Sequence, residues 1–226
     1  MSVSIKLPDG SEKTFPAPPS GLELAKSLGS RLAKDAMGFL VEGKEDIQDI
    51  RSLLKNGDQV RIVACPSKEA LEVIRHSAAH VLAQAVQNLW PEVKVTIGPV
   101  IENGFYYDFD TDKKFTPEDL SAIEEEMKKI IKAGYEVTRE VWPSEKAMRY
   151  FEEKGEILKR EIIQDLGEKE VSIYKQGNWL DLCKGPHVQN LSQIGTIKVL
   201  SHSGAYWRGG SKNKHPPRTY ITALSY

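Results

Sequence analysis

His76 and His80 stand four residues apart in Arg75-His76-Ser77-Ala78-Ala79-His80. On a helix that spacing puts both imidazoles on one face, one turn apart, and Gln84 continues the same ridge. Far along the chain, Asp181-Leu182-Cys183-Lys184-Gly185-Pro186-His187 carries a second pair, Cys183 and His187, also four apart. Here Gly185-Pro186 imposes a turn rather than a helix. Three imidazoles and a thiol are the donor set of a tetrahedral zinc site. They would equally serve as a general base and polar anchors around a small substrate, and spacing alone leaves both readings open. Three of the five histidines fall in these two motifs, which favours a shared role over separate structural ones. A protease helix of the His-Glu-x-x-His kind is excluded, because Ser77 stands where the glutamate base would be. No P-loop, dinucleotide fingerprint or Gly-x-Ser-x-Gly elbow occurs.

These side chains need rigid carriers. The pair His76/His80 lies in the strongest helical pattern of the chain. Ser67 can cap it and Glu69 favours its first turn. Leu71, Ile74, Ala78, Leu82, Ala85 and Leu89 then form an apolar stripe before Pro91. Residues 95–101 and 105–109 read as strands flanking the hairpin signal Asn103-Gly104. A second helix starts at a Thr116 cap with Pro117, Glu118 and Asp119 and runs to Gly134, turning Leu120, Ile123, Met127, Ile130 and Ile131 inward. Residues 135–141 read as a strand, and Ser144 as the cap of a third helix ending at Gly155. Residues 171–174, 179–182 and 197–200 read as strands, so Cys183 directly follows one of them.

The chain before this is a separate module. Residues 3–7 alternate, Asp9-Gly10 signals a hairpin, and residues 12–15 return as a second strand. Ser20 caps a helix carrying Leu22, Leu24, Ala25 and Leu28 and stopping near Gly29. Residues 36–41 and 59–63 are further strands, with Asn56-Gly57-Asp58 as a turn. Strand, strand, helix, strands is the order of a β-grasp fold. The expected organisation is a β-grasp domain over 1–64, a linker Cys65-Pro66-Ser67, and a second domain over 65–226. The whole is of the α+β class, with helices packed on mostly antiparallel sheet.

Composition bounds the function. With 226 residues, 40% hydrophobic and 28% charged, the chain is an ordinary globular protein with room for two cores. No stretch approaches the roughly 18 to 20 apolar residues that span a bilayer, and no membrane partner is expected. The N-terminus lacks a signal-peptide core. Two cysteines build no disulfide framework, which favours a reducing, cytoplasmic location. The net charge of −1 is unevenly spread: residues 1–64 are neutral, residues 65–195 carry a net −6, and residues 196–226 a net +5. Lys198, Arg208, Lys212, Lys214 and Arg218 make that last segment the expected contact for a phosphate backbone.

Four segments, taken in order, closely resemble the amino-terminal half of bacterial threonyl-tRNA synthetases. They are residues 75–80, then Ile97-Gly98-Pro99-Val100-Ile101-Glu102-Asn103-Gly104-Phe105-Tyr106-Tyr107-Asp108, then residues 181–187, then Gly204-Ala205-Tyr206-Trp207-Arg208-Gly209. In that family a β-grasp module called TGS precedes an editing domain that hydrolyses seryl-tRNA made in error. The related alanyl editing domains share the paired His and Cys/His pattern but generally lack the leading TGS module, so residues 1–64 favour the threonyl branch.

Such an editor answers a physical need. Serine lacks one methyl of threonine, which is worth only about 1–3 kcal/mol of discrimination, so a second pocket must hydrolyse the smaller product. On the resemblance, the family's editing histidines fall on His76 and His80 and its Cys/His pair on Cys183 and His187. Asp181 matches the acidic neighbour of the cysteine. The functional lysine aligns with Lys159 in Gly155-Glu156-Ile157-Leu158-Lys159. The resemblance implies that His76 is the principal proton-transfer residue and that Lys159 holds the water or the ester oxygen. His80, Cys183, Asp181 and His187 then shape the amino-acid and adenosine ends. It also implies editing without metal, whereas alanyl-type relatives use zinc; His76, His80, Cys183 and His187 would be the ligands in that case. The implied partner is tRNA for threonine mischarged with serine. In a full-length enzyme the partners are the synthetase catalytic and anticodon-binding domains, as a homodimer.

The departures lie near the end. Gly210 stands where the family has an acid, and His215-Pro216-Pro217 replaces part of a regular run, where two prolines would disturb a strand or helix. The aminoacylation core is not recognisable, so the chain is expected to edit rather than charge tRNA, as a fragment or as a free-standing editor. Two other readings are a non-catalytic tRNA-binding module that uses the basic tail, and a zinc-dependent hydrolase of another aminoacyl ester.

Overall fold

The computed structural model describes residues 2–102, 104–205 and 218–225, with side chains up to residue 201. It divides into two compact units, residues 1–74 with 185–189 and residues 75–184 with 190–226. Among the described residues no helix is long and apolar enough to cross a membrane.

The first unit opens with the antiparallel hairpin β1 (Val3–Lys6) and β2 (Glu12–Phe15). Helix α1 (Gly21–Leu28) follows, started by a capping box. The Ser20 hydroxyl accepts from the Glu23 amide, and the Glu23 carboxylate accepts from the Ser20 amide. Helix α2 (Ser30–Asp35) continues directly after Gly29, an element the sequence reading does not contain because six residues carry too little periodicity. Strand β3 (Ala36–Val41) pairs antiparallel with both β4 (Gln48–Asp49) and β5 (Val60–Ala64). A parallel bridge between Lys6 and Gln59 joins the hairpin to this sheet. Ile5, Leu24, Phe39, Ile50 and Val60 form the core beneath it. This is the expected β-grasp arrangement.

Helix α3 (Lys68–Leu89) is the long helix foreseen around His76 and His80. The Ala70 amide donates to the Ser67 hydroxyl at 3.1 Å, so Ser67 does cap it. Burial extends beyond the expected stripe: Ala79, Val81, Ala83 and Val86 are also inside, together with Ser77, His80 and Gln84. Polar groups on such a helix need partners within the protein.

The second unit contains two sheets. Short strands β6 (Lys94–Val95) and β7 (Val100–Ile101) both pair with β8 (Gly104–Asp110). The single strand expected over 95–101 is thus split, with Gly98-Pro99 at the break. A Cβ at Gly98 would overlap the Tyr107 ring, so this close approach requires glycine. Helix α4 (Pro117–Ala133) has the expected Thr116 cap and a left-handed Gly134 after its end. Strand β9 (Val137–Pro143) leads into α5 (Ser144–Glu153). Ser144 is the first helical residue rather than the cap, because its hydroxyl donates to the Glu168 carbonyl at 2.6 Å. Helix α6 (Ile157–Leu166), not foreseen, precedes β10 (Glu170–Gln176) and β11 (Trp179–Leu182). These two strands and β9 make one three-stranded antiparallel sheet, in the order β11-β10-β9. After a 3-10 turn (Leu191–Ile194), β12 (Ile197–Ala205) pairs with β13 (Arg218–Ser225), which also pairs with β8. The His215-Pro216-Pro217 run, where a strand or helix is expected to be disturbed, lies outside the described residues, and Arg218 opens β13. Both units are α+β, with antiparallel sheets throughout the second.

Candidate active site

Within the second unit, α3 presents His76 and His80 as the spacing requires. Their rings are 5.5 Å apart and edge-on at 89°. His76 is half-buried, whereas His80 is buried. Cys183 follows β11, held by a 3.1 Å bond from its amide to the Ser172 carbonyl. Its Sγ lies 3.3 Å from His76 Nε2. His80 is flanked edge-on by Trp179 at 5.6 Å and by Tyr107 at 6.4 Å. Burial, with the neighbouring His76 and Lys159, holds its imidazole well below the ordinary value of 6.5, so it is neutral at working pH.

Lys159 and Asp181 form a buried pair. Lys159 Nζ lies 2.5 Å from Asp181 Oδ1 and 3.3 Å from the Tyr107 hydroxyl. Tyr107 donates to Asp181 Oδ2 at 2.5 Å, and the Leu182 amide donates to Oδ1 at 2.7 Å. The register Tyr174 to Asp181 across β10 and β11 sets where that carboxylate stands. Burial, reinforced by Asp181, keeps the Tyr107 hydroxyl protonated far above its usual range.

Two amide links run beside this cluster. Gln176 Nε2 donates to Gln84 Oε1 at 2.8 Å. Gln87 Oε1 accepts from the Trp179 indole at 2.7 Å, and Gln87 Nε2 donates to Glu156 Oε1 at 2.8 Å. Burial pushes the Glu156 carboxyl up, with Lys159 opposing it.

His76, His80, Lys159, Asp181 and Cys183 thus come together in one unit. His187 lies in the first unit, where it is buried. Arg51 Nη1 donates to the His187 carbonyl at 3.3 Å, Nη2 donates to that of Val188 at 2.9 Å, and Arg51 pairs with Asp49 at 3.2 Å. Sequence reasoning assigned no role to Tyr107, Trp179, Gln87 or Glu156. For Tyr107 a signal existed: it alternates with Phe105 and Phe109, so one hydroxyl had to find a partner inside.

The ligand atoms of His76, His80 and Cys183 lie within 4.8 Å of one another, and their chemistry suits a borderline-soft divalent metal such as zinc. Among the proposed phosphate contacts, Lys198 is engaged with Glu124 at 2.9 Å. Arg208, Lys212 and Lys214 lie outside the described residues, and Arg218 is described only as the first residue of β13.

A β-grasp unit followed by an α+β unit with a His/His/Cys cluster is a two-module architecture, and comparison with known proteins identifies both modules. Residues 3–64 match the TGS domain, and residues 171–215 match the threonyl and alanyl tRNA synthetase second additional domain. The second match includes Asp181, Cys183 and His187. The threonine–tRNA ligase of Bdellovibrio bacteriovorus is 48% identical over 227 residues, which cover 99% of this chain and 35% of the relative. That of Gluconobacter oxydans is 50% identical over 222 residues, covering 97% and 34%. That of Syntrophomonas wolfei is 47% identical over 223 residues, covering 98% and 35%. The resemblance read from the motifs is thereby established: the chain carries the TGS and second additional domains of threonyl-tRNA synthetases. It spans about a third of the length of the curated relatives it matches.

Proposed function

We propose that this chain hydrolyses the ester of tRNA for threonine mischarged with serine. The observation that carries the reading is the asymmetry of the imidazole pair. His76 is half-buried, so it can meet a substrate arriving from solvent, while His80 behind it is buried and neutral. His76 takes a proton from water as its oxygen bonds to the ester carbonyl carbon. When the carbon–oxygen bond to the ribose breaks, the proton passes to the leaving ribose oxygen, releasing serine and tRNA. Lys159, neutralised by Asp181 and tied to Tyr107, supplies a fixed field at the back of the site.

The reaction is proposed to run on these side chains without metal, as the likeness to the threonyl branch implies. If zinc were bound by His76, His80 and Cys183, it would act as a Lewis acid on the carbonyl.

The test uses the whole chain with seryl- and threonyl-tRNA for threonine, with and without chelator. Serine is expected to be released about ten- to two-hundredfold faster than threonine, the scale of a one-methyl difference, and chelator should change nothing. Equal release of both amino acids overturns the editing reading. Protection of the tRNA without release makes the chain a binding module. Release lost on chelation makes it a zinc hydrolase.

A further inference from the structure

Glu156 occupies the N-cap position of α6, yet its side chain makes no capping hydrogen bond. Its main chain does that work: the Glu156 carbonyl accepts from the amides of Lys159 at 3.0 Å and Arg160 at 3.3 Å. The carboxyl instead turns inward, where it is 8% exposed. Oε1 accepts from Gln87 Nε2, and Oε2 is buried without a hydrogen-bond partner among the described residues. A buried carboxyl oxygen left unpaired costs stability that an apolar side chain would not. Its retention needs another reason.

The contacts point to one. Gln87 lies seven residues beyond His80 on α3, on the same face two turns away. Its amide group is saturated: Nε2 donates to Glu156 and to the Val93 carbonyl at 3.1 Å, and Oε1 accepts from the Trp179 indole. That indole stands edge-on to His80 at 85°. One residue therefore starts the helix that carries Lys159 and, through Gln87, anchors the ring that walls His80.

We propose that Glu156 is a positioning residue of the editing site, fixing the Trp179 indole through Gln87 and thereby the orientation of His80. The inference rests on the editing function proposed above, and it has a readout that does not. The link needs an acceptor at position 156, not a charge, because Gln87 Nε2 is the donor. Glu156→Gln preserves that acceptor and Glu156→Ala removes it.

The experiment measures His80 ring resonances by NMR, single-turnover deacylation and tRNA affinity on the full chain. Trp179→Phe serves as a second variant, keeping an aromatic wall without the indole N–H. Glu156→Ala should shift the His80 ring protons and slow the chemical step about tenfold, the scale expected when a group orienting a functional side chain is lost, with tRNA affinity unchanged. Glu156→Gln should match the wild type in both. Glu156→Ala combined with Trp179→Phe should lose no more than either alone, since both break one chain. His80 resonances at their wild-type positions in Glu156→Ala overturn the proposal, as do additive losses. If Glu156→Ala does not fold, Gln87→Met, which breaks the link while leaving the indole, decides alone: unmoved His80 resonances reject the link. A wild-type chain that releases no serine defeats the editing reading, while the NMR comparison still judges the positioning chain.

Discussion

Lys159 and Asp181 meet with their side chains 2% and 1% exposed, 22 residues apart in sequence and on different elements, α6 and β11. The pair is inside the fold. Removing two charges from water costs several kcal/mol per ion, and only close geometry with further hydrogen bonds offsets it. Tyr107 and the Leu182 amide provide those bonds. A buried, hydrogen-bonded ion pair whose lysine acts on His80 is a fixed electrostatic element of the site.

The first prediction follows from that burial. Lys159→Met strands the Asp181 carboxylate and should cost about 3–5 kcal/mol. Adding Asp181→Asn removes the stranded charge and should recover much of the loss. Urea unfolding of the two single variants and the double variant measures the coupling. Additive costs would mean that the two groups do not depend on each other.

A second prediction concerns pH. In the unfolded chain His80 gains a proton as pH falls through about 6.5, whereas in the folded chain burial keeps it neutral well below that. The unfolded state then binds more protons, so stability falls as pH drops below 6.5, by up to about 1.4 kcal/mol per unit until the folded imidazole itself titrates. Above 6.5 the group contributes no slope. Urea midpoints at pH 7.5 and 5.5 should separate more for the wild type than for His80→Gln. Parallel shifts in the two proteins would show that another group titrates.

Local features of the fold were legible and long-range ones were not. Ser20 and Thr116 announce helix starts because a capping box is complete within four residues. His76 and His80 could be placed on one helix face because α3 needs only its own period. Ser144 misleads because a hydroxyl before a helix can equally bond elsewhere, and here it bonds Glu168, 24 residues away. The partners of Asp181 lie 22 and 74 residues distant, on elements whose pairing no local pattern encodes. Glu124 of α4 is buried and accepts from the Val199 amide at 3.1 Å, a partner 75 residues away.

That contact bears on the proposed phosphate patch and yields a third prediction. Burial opposes ionisation of Glu124, but hydrogen bonds from Lys128, Lys198 and the Val199 amide outweigh it and hold its carboxyl at about 2. Its contribution to stability is complete above the ordinary value near 4.5 and is lost as pH falls from there towards 2. Because Lys198 is committed to this carboxylate, Lys198→Ala should leave the salt dependence of tRNA binding nearly unchanged and weaken acid stability by about 1 kcal/mol or less. Lys212→Ala and Lys214→Ala should each flatten the log–log salt slope by somewhat under one unit. A full unit lost in Lys198→Ala would return that lysine to the RNA contact.

The last prediction separates the roles of His76 and Cys183. His76 is the half-buried member of the imidazole pair, and its Nε2 lies 3.3 Å from the Cys183 sulfur. If His76 carries the proton during ester hydrolysis, His76→Ala should slow deacylation by about 10²–10⁴. Affinity for tRNA should hold, since one imidazole contributes little to phosphate binding. Cys183→Ala removes a neighbour of that nitrogen but not the proton carrier, so its loss should be smaller, and the double variant should be no worse than His76→Ala alone. Added imidazole gives a further check: it should restore part of the rate in His76→Ala and leave Cys183→Ala unchanged. A loss in Cys183→Ala that exceeds the loss in His76→Ala would make the thiol, rather than the imidazole, the group that does the chemistry.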